Sequence, residues 1–80
     1  MEEHKITARE LAESAIQDIR PFDYDLLHYM CKKYTASSWQ QWGFQVVERL
    51  APKETSRQMI GRAASILVKE IMKELGGKAK

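Results

Sequence analysis

The segment from Met59 to Leu75 constrains the fold more than any other part of the chain. On a helical wheel its apolar side chains cover roughly 240°, whereas a surface helix needs an apolar stripe of only about 100°. These side chains are Met59, Ile60, Ala63, Ala64, Ile66, Leu67, Val68, Ile71, Met72 and Leu75. A helix with so wide an apolar arc is either the central helix of a bundle or has one side against another chain.

Capping patterns predict where the helices begin. Thr7 and Glu10 have the spacing of a capping box, in which the hydroxyl and the carboxylate each satisfy a free backbone amide. A Ser or Thr followed three residues later by Gln recurs at residues 38–41 and 55–58. Asp23 has the side chain of a good N-cap for the second helix, which lies between the starts at residues 7–10 and 38–41. The chain therefore contains four helix starts.

Helix-breaking residues predict where the helices end. Pro21 and Pro52 each follow an apolar stripe, and Gly76-Gly77 suits a left-handed C-cap after the last helix. We expect an all-α, compact four-helix domain with helices at about 8–20, 24–34, 39–50 and 56–75 and short loops. A chain of 80 residues has room for one domain. Residues 1–80 are therefore expected to form it, with flexible ends at 1–6 and 76–80.

No residue pattern points to catalysis or to a metal site. His4 and His28 lie far apart, and no Cys or carboxylate stands at a spacing that completes a zinc site. Asp23 and Asp25 lack the other ligands of a calcium loop. Cys31 falls in the apolar stripe of the second helix, where we expect it to be buried. We predict no enzymatic activity, no cofactor and no small-molecule substrate.

The composition suggests a cytoplasmic protein. One cysteine cannot form an intramolecular disulfide, which suits a reducing compartment. The charged residues after Met1 do not form a secretory signal. The longest apolar runs are far shorter than the ~20 residues of a membrane span. We therefore expect no membrane association.

The net charge of +2 is unevenly distributed. Residues 1–25 carry seven acidic and three basic side chains, whereas residues 26–62 carry two acidic and six basic ones. On the fourth helix, Arg62, Lys69 and Lys73 line up on the face opposite the apolar arc. This basic row is either a solvated face or a surface for phosphates or an acidic protein.

Aromatic residues are concentrated in the third helix. Trp39 and Trp42 share one turn and either fill the core or form an interaction hot spot, while Phe44 points elsewhere. The leading prediction is a small regulatory or adaptor protein that binds another protein, or itself through the fourth helix. The predicted interface residues are Trp39, Trp42, Phe44, Ile66, Val68 and Met72.

Residues 27–45 resemble a helix-turn-helix motif. Cys31 stands at the small-residue position of the first helix, Tyr34 at its last apolar contact and Thr35 in the turn. Thr35 departs from the usual turn glycine, and Gln41 departs from a buried aliphatic residue. The resemblance implies, as the alternative function, a regulator that binds duplex DNA, of a kind common in phages and mobile elements. Glutamine side chains would pair with adenine edges, and basic side chains would neutralise phosphates. The predicted DNA-contacting residues are Lys32, Lys33, Gln40, Gln41, Gln45, Arg49, Lys53, Arg57, Arg62, Lys69 and Lys73.

Overall fold

The chain forms four α-helices. The computed structural model describes residues 6–78, with side chains described for 6–76. The helices are α1 (Ala8–Ile19), α2 (Tyr24–Lys33), α3 (Ala36–Leu50) and α4 (Arg57–Lys78). No strand occurs within residues 6–78. The prediction of an all-α four-helix domain is confirmed.

α4 is the central helix. α1 packs along it, α3 packs along it as well, and α1 also contacts α3, while α2 makes only a small contact with α4. Of the ten side chains in the predicted apolar arc, six are buried and three are half-buried. Only Met72 is counted as exposed, at 36%. The wide arc is therefore covered by helices of the same chain.

Small residues let these helices approach one another closely. Ala12 and Ala15 of α1 are fully buried against the core. In α3, a Cβ atom at Gly43 would lie 3.0 Å from Val68 Cγ2 and 3.3 Å from the Ala64 carbonyl oxygen. Any residue larger than glycine at position 43 would thus press against the backbone of α4.

Hydrogen bonds place the starts of α1 and α2 where the sequence predicts them. The Glu10 N–H donates to Thr7 Oγ1 at 3.1 Å and the Thr7 N–H donates to Glu10 Oε1 at 2.9 Å, which completes the capping box. The Leu26 N–H donates to Asp23 Oδ1 at 3.1 Å. Each of these two helices ends one residue earlier than predicted.

α3 and α4 are capped by different residues from those predicted. Thr35 caps α3 by accepting a 3.2 Å hydrogen bond from the Ser38 N–H, so the helix begins three residues earlier. Ser56, not Thr55, accepts the Met59 N–H at 3.1 Å at the start of α4. Both regions contain more than one hydroxyl residue, and the capping pattern alone does not indicate which of them is the N-cap.

Parts of both predicted flexible ends lie within the described residues. Residues 1–5 and 79–80 of the predicted flexible ends lie outside the described residues. Ile6 packs against the core, and α4 continues to Lys78. No described glycine has a positive φ and α4 continues through both residues, so the prediction of a left-handed C-cap at Gly76-Gly77 is wrong. Within residues 6–78, no helix is both long and apolar enough to cross a membrane.

Cys31 is exposed, which corrects the prediction that it is buried. Within α2 only Leu27 and Met30 are buried. Tyr34, which follows α2 on the same predicted stripe, is 39% exposed. The stripe is narrower than predicted because α2 lies at the edge of the bundle and is covered along one line of residues.

Candidate functional site

Three aromatic rings form a continuous cluster at the link between the end of α2 and the first turns of α3. The Trp39 ring is 3% exposed, and its centroid lies 5.9 Å from that of Tyr34 and 5.4 Å from that of Trp42, both in edge-on geometry. Such pairs contribute about 0.5–1.5 kcal/mol beyond the burial of their area. The buried Trp39 ring therefore holds the rings of Tyr34 and Trp42 in defined positions at the surface.

An apolar groove of about 190 Å³ lies beside Trp42, and we call it the Trp42 groove. Its walls come from the end of α1, the following turn, α2 and α3. They consist of Ile19, Pro21, Phe22, Asp23, Leu26, Leu27, Met30 and Trp42. Leu26 is 52% exposed. Since an apolar cavity of about 150 Å³ accepts a benzene-sized molecule, this groove has room for one aliphatic or aromatic side chain.

Polar side chains lie on the other side of Trp42. Tyr34, Ser38, Gln41 and Gln45 surround one shallow depression there. A second depression, also bordered by Trp42, includes Arg49 and Glu48. An apolar centre with a polar border is the usual anatomy of a protein interface.

Apart from Trp42 itself, the sequence patterns do not predict the walls of the Trp42 groove. They place Met30 in the apolar stripe of α2 and Leu26 beside it, and neither residue is predicted to form a site. Leu26 carries the one signal that points to the groove, because it is a large apolar residue outside the stripe of its own helix.

The opposite side of α3 is engaged with α4. The Arg57 guanidinium lies 5.1 Å from the centroid of the half-buried Phe44 ring. The Gln40 amide donates from Nε2 to the Gly61 carbonyl oxygen at 3.2 Å, and Nε2 is also 3.2 Å from Ser65 Oγ. The side chain of Gln40, which is predicted to contact adenine, is thus hydrogen-bonded within the fold. Phe44 lies against Arg57 on this side of α3, away from Trp42.

The other predicted interface residues contribute little exposed surface. Trp39 lies in the core. Ile66 and Val68 are half-buried and pack against the core, and Met72 is the one predicted interface residue of α4 that is exposed. Of the six predicted interface residues, Trp42 alone borders the apolar groove.

The connection between α2 and α3 differs from that of a helix-turn-helix motif. Tyr34 (φ −93°, ψ 139°) and Thr35 (φ −80°, ψ 171°) are both extended, so this link contains no left-handed residue. Within the described residues, the α2 backbone comes close to α4 and not to α3. Cys31, at the small-residue position, faces solvent. α2 therefore does not brace α3 as the first helix of that motif braces the second.

The basic row of α4 consists of Arg62, Lys69 and Lys73, and all three are exposed. None of them is ion-paired within residues 6–76. The eleven helical steps from Arg62 to Lys73 make the row about 17 Å long. The other predicted phosphate-contacting residues are also exposed but lie on α2, α3, the connecting loop and the first turn of α4: Lys32, Lys33, Arg49, Lys53 and Arg57.

A hydrogen bond links α2 to the C-terminal part of α4. The Tyr24 hydroxyl donates to Glu74 Oε1 at 3.1 Å. Desolvation and the nearby Glu74 carboxylate raise the pKa of Tyr24 above its ordinary value of 10.0. The positive charge of Arg20 lowers this pKa and so opposes part of the rise. The Phe22 ring packs edge-on against Tyr24 at 6.0 Å. These contacts position the turn that forms one wall of the Trp42 groove.

The candidate functional features described above are surfaces of the helical bundle. No group of three or more His, Cys, Asp or Glu side chains among them could hold a metal ion. No family model matches this chain, and neither does a curated protein or a solved structure.

Proposed function

We propose that this protein is a non-enzymatic regulatory or adaptor protein that binds a partner protein through the Trp42 groove. The observation that carries the proposal is the Tyr34–Trp39–Trp42 cluster, which fixes a half-buried tryptophan beside an open apolar groove. Rigid aromatic anchors next to a pocket are typical of interaction hot spots. The partner inserts one apolar side chain into the groove and bonds to Gln45 and its polar neighbours at the border.

Site-specific photo-crosslinking tests this proposal. A photoreactive amino acid at Gln45, beside Trp42, is expected to yield one discrete adduct with a second protein in cells that produce the chain. The matched control places the same amino acid at Gln58, which is exposed on α4 and lines neither the groove nor the two depressions beside Trp42. Equal adducts from both positions would contradict the proposal.

Trp42→Ala provides the second arm of this test. Truncating a hot-spot tryptophan costs at least about 2 kcal/mol of binding free energy, or a loss of affinity of roughly 30-fold. The adduct formed from position 45 is therefore expected to disappear. A persistent adduct in a folded Trp42→Ala protein would show that the groove does not bind the partner.

Binding of duplex DNA is a second candidate function, and the unpaired basic row of α4 is the observation that favours it. Three phosphate contacts give a log–log dependence of affinity on salt with a slope of about −2.7. The expected result is a mobility shift at low salt that is lost at moderate salt and in the Arg62→Gln/Lys69→Gln/Lys73→Gln variant. Absence of a shift at micromolar protein would eliminate this candidate.

Self-association through α4 has less support than the sequence suggests. The excess of apolar surface that motivated it is covered by α1 and α3, and Met72 is the one exposed member of the arc.

A further inference from the structure

The outer face of α2 combines exposed apolar residues with an ordered set of charges. Tyr29 and Leu26 are the two most exposed large hydrophobic residues in the described chain, at 58% and 52%, and they lie one helical turn apart. Asp25 precedes them on this face and Lys33 follows them, and both are exposed. The face therefore runs from an acidic end through an apolar centre to a basic end.

Neither charged end of this face is neutralised within the chain. Asp25 and Lys33 form no ion pair in residues 6–76. The Lys33 ammonium lies 5.9 Å from the centroid of the Tyr29 ring. Asp25 and Lys33 lie four residues before and after Tyr29, so an antiparallel copy of the helix places each acid opposite a base.

We propose that the outer face of α2 binds the same face of a second copy of this chain, with the two helices antiparallel. Asp25 of each protomer pairs with Lys33 of the other, and the two Tyr29 rings meet at the two-fold axis. Such an interface is isologous, because the same residues serve on both sides. This proposal does not rest on the proposed function. Leu26 borders both surfaces, but Tyr29 and the two charges do not line the Trp42 groove.

A contact made by one short helix from each protomer is small. Interfaces of this size are weak or transient, so dimerisation is expected at about 10 µM to about 1 mM protein. Sedimentation velocity across that concentration range measures it directly. A protein that remains monomeric throughout would overturn the proposal.

Charge substitutions test the antiparallel arrangement. Asp25→Lys and Lys33→Asp each create two like-charged pairs across the two-fold axis, and each is expected to weaken dimerisation about 10- to 30-fold. Asp18→Lys on α1 and Lys69→Asp on α4 are the matched controls, because they make the same changes in net charge elsewhere. Equal weakening by the controls would contradict the proposal.

Restoration of binding distinguishes the antiparallel pair from a general effect of charge. A mixture of the Asp25→Lys and Lys33→Asp proteins is expected to form a heterodimer near wild-type affinity, because each introduced charge then faces its opposite. The double variant Asp25→Lys/Lys33→Asp is expected to dimerise with itself for the same reason. Failure of both combinations, with folding verified by circular dichroism, would overturn the antiparallel register.

Disulfide formation offers a test without charge changes. Tyr29→Cys, made together with Cys31→Ser, places a thiol at the proposed two-fold axis and is expected to yield a covalent dimer on mild oxidation. The wild-type Cys31 lies about 160° away around α2 and is not expected to do so. Ser14→Cys with Cys31→Ser is the exposed control on α1. Equal dimer yields from the two introduced cysteines would refute the interface.

Discussion

Two glycines in helix interiors provide a matched test of how closely α3 and α4 pack. Alanine is favoured over glycine by about 0.8–1.0 kcal/mol in a helix interior. No neighbouring atom lies within 4 Å of the position that a Cβ would take at Gly61. Gly61→Ala is therefore expected to increase the free energy of unfolding by about 1 kcal/mol, which raises Tm by roughly 4–8 °C.

Gly43→Ala is expected to have the opposite effect. The new methyl group would lie 3.0 Å from Val68 Cγ2 and 3.3 Å from the Ala64 carbonyl oxygen. The carbonyl belongs to the α4 backbone and cannot rotate away. Overpacking of this kind costs about 1–3 kcal/mol, which outweighs the gain in helix propensity. We expect a net loss of about 1 kcal/mol, and thus a difference of about 2 kcal/mol between the two variants.

Urea and thermal unfolding, followed by circular dichroism, measure both effects. Val68→Ala in the Gly43→Ala background removes the nearer of the two contacts. The double variant is therefore expected to lose less stability than the sum of the two single losses. A Gly43→Ala protein that gains as much stability as Gly61→Ala would refute the close approach of the two helices.

Four substitutions probe other parts of the fold. Trp39→Ala removes a buried ring and is expected to lower the free energy of unfolding by about 3–5 kcal/mol, whereas Trp42→Ala should lower it clearly less. Equal losses in urea unfolding would contradict the difference in burial between the two rings. Gly76→Ala is expected to raise Tm because Gly76 is helical, and a lower Tm would instead indicate a left-handed C-cap there. Tyr24→Phe is expected to destabilise the protein at neutral pH by removing the hydrogen bond to Glu74. Because folding raises the pKa of Tyr24, its hydroxyl stabilises the fold below the ordinary value of 10.0 and ceases to do so as the pH rises through the higher folded-state pKa. The stability difference between wild type and Tyr24→Phe should therefore shrink at high pH, and urea unfolding that shows a constant difference would contradict this assignment.

Features determined by neighbouring residues are predictable from this sequence. The capping box of Thr7 and Glu10 and the N-cap at Asp23 depend on contacts within one turn, and both are present in the structure. The apolar arc of α4 required cover on most sides, and the helices of the same chain supply it. The sequence left open whether that cover came from the chain itself or from a partner.

The Trp42 groove depends on segments that are distant in sequence, which is why it is not predictable from local patterns. Ile19, Leu26 and Trp42 come from three helices and meet only through the packing of the whole bundle. The exposure of Cys31 has the same origin. Periodicity indicates which side of α2 is apolar, but it does not indicate how wide a strip of that side the rest of the bundle covers.

The central position of α4 determines when the chain can fold during synthesis. The ribosome produces α1, α2 and α3 before α4. Leu11 of α1 and Val47 of α3, both almost completely buried, pack in a core that also requires Leu67 and Ile71. Until those residues have left the ribosome, the nascent chain exposes the apolar faces of its first three helices. Folding of this domain therefore waits for the synthesis of α4, and the chain that still lacks α4 is the form most open to aggregation and to chaperone binding.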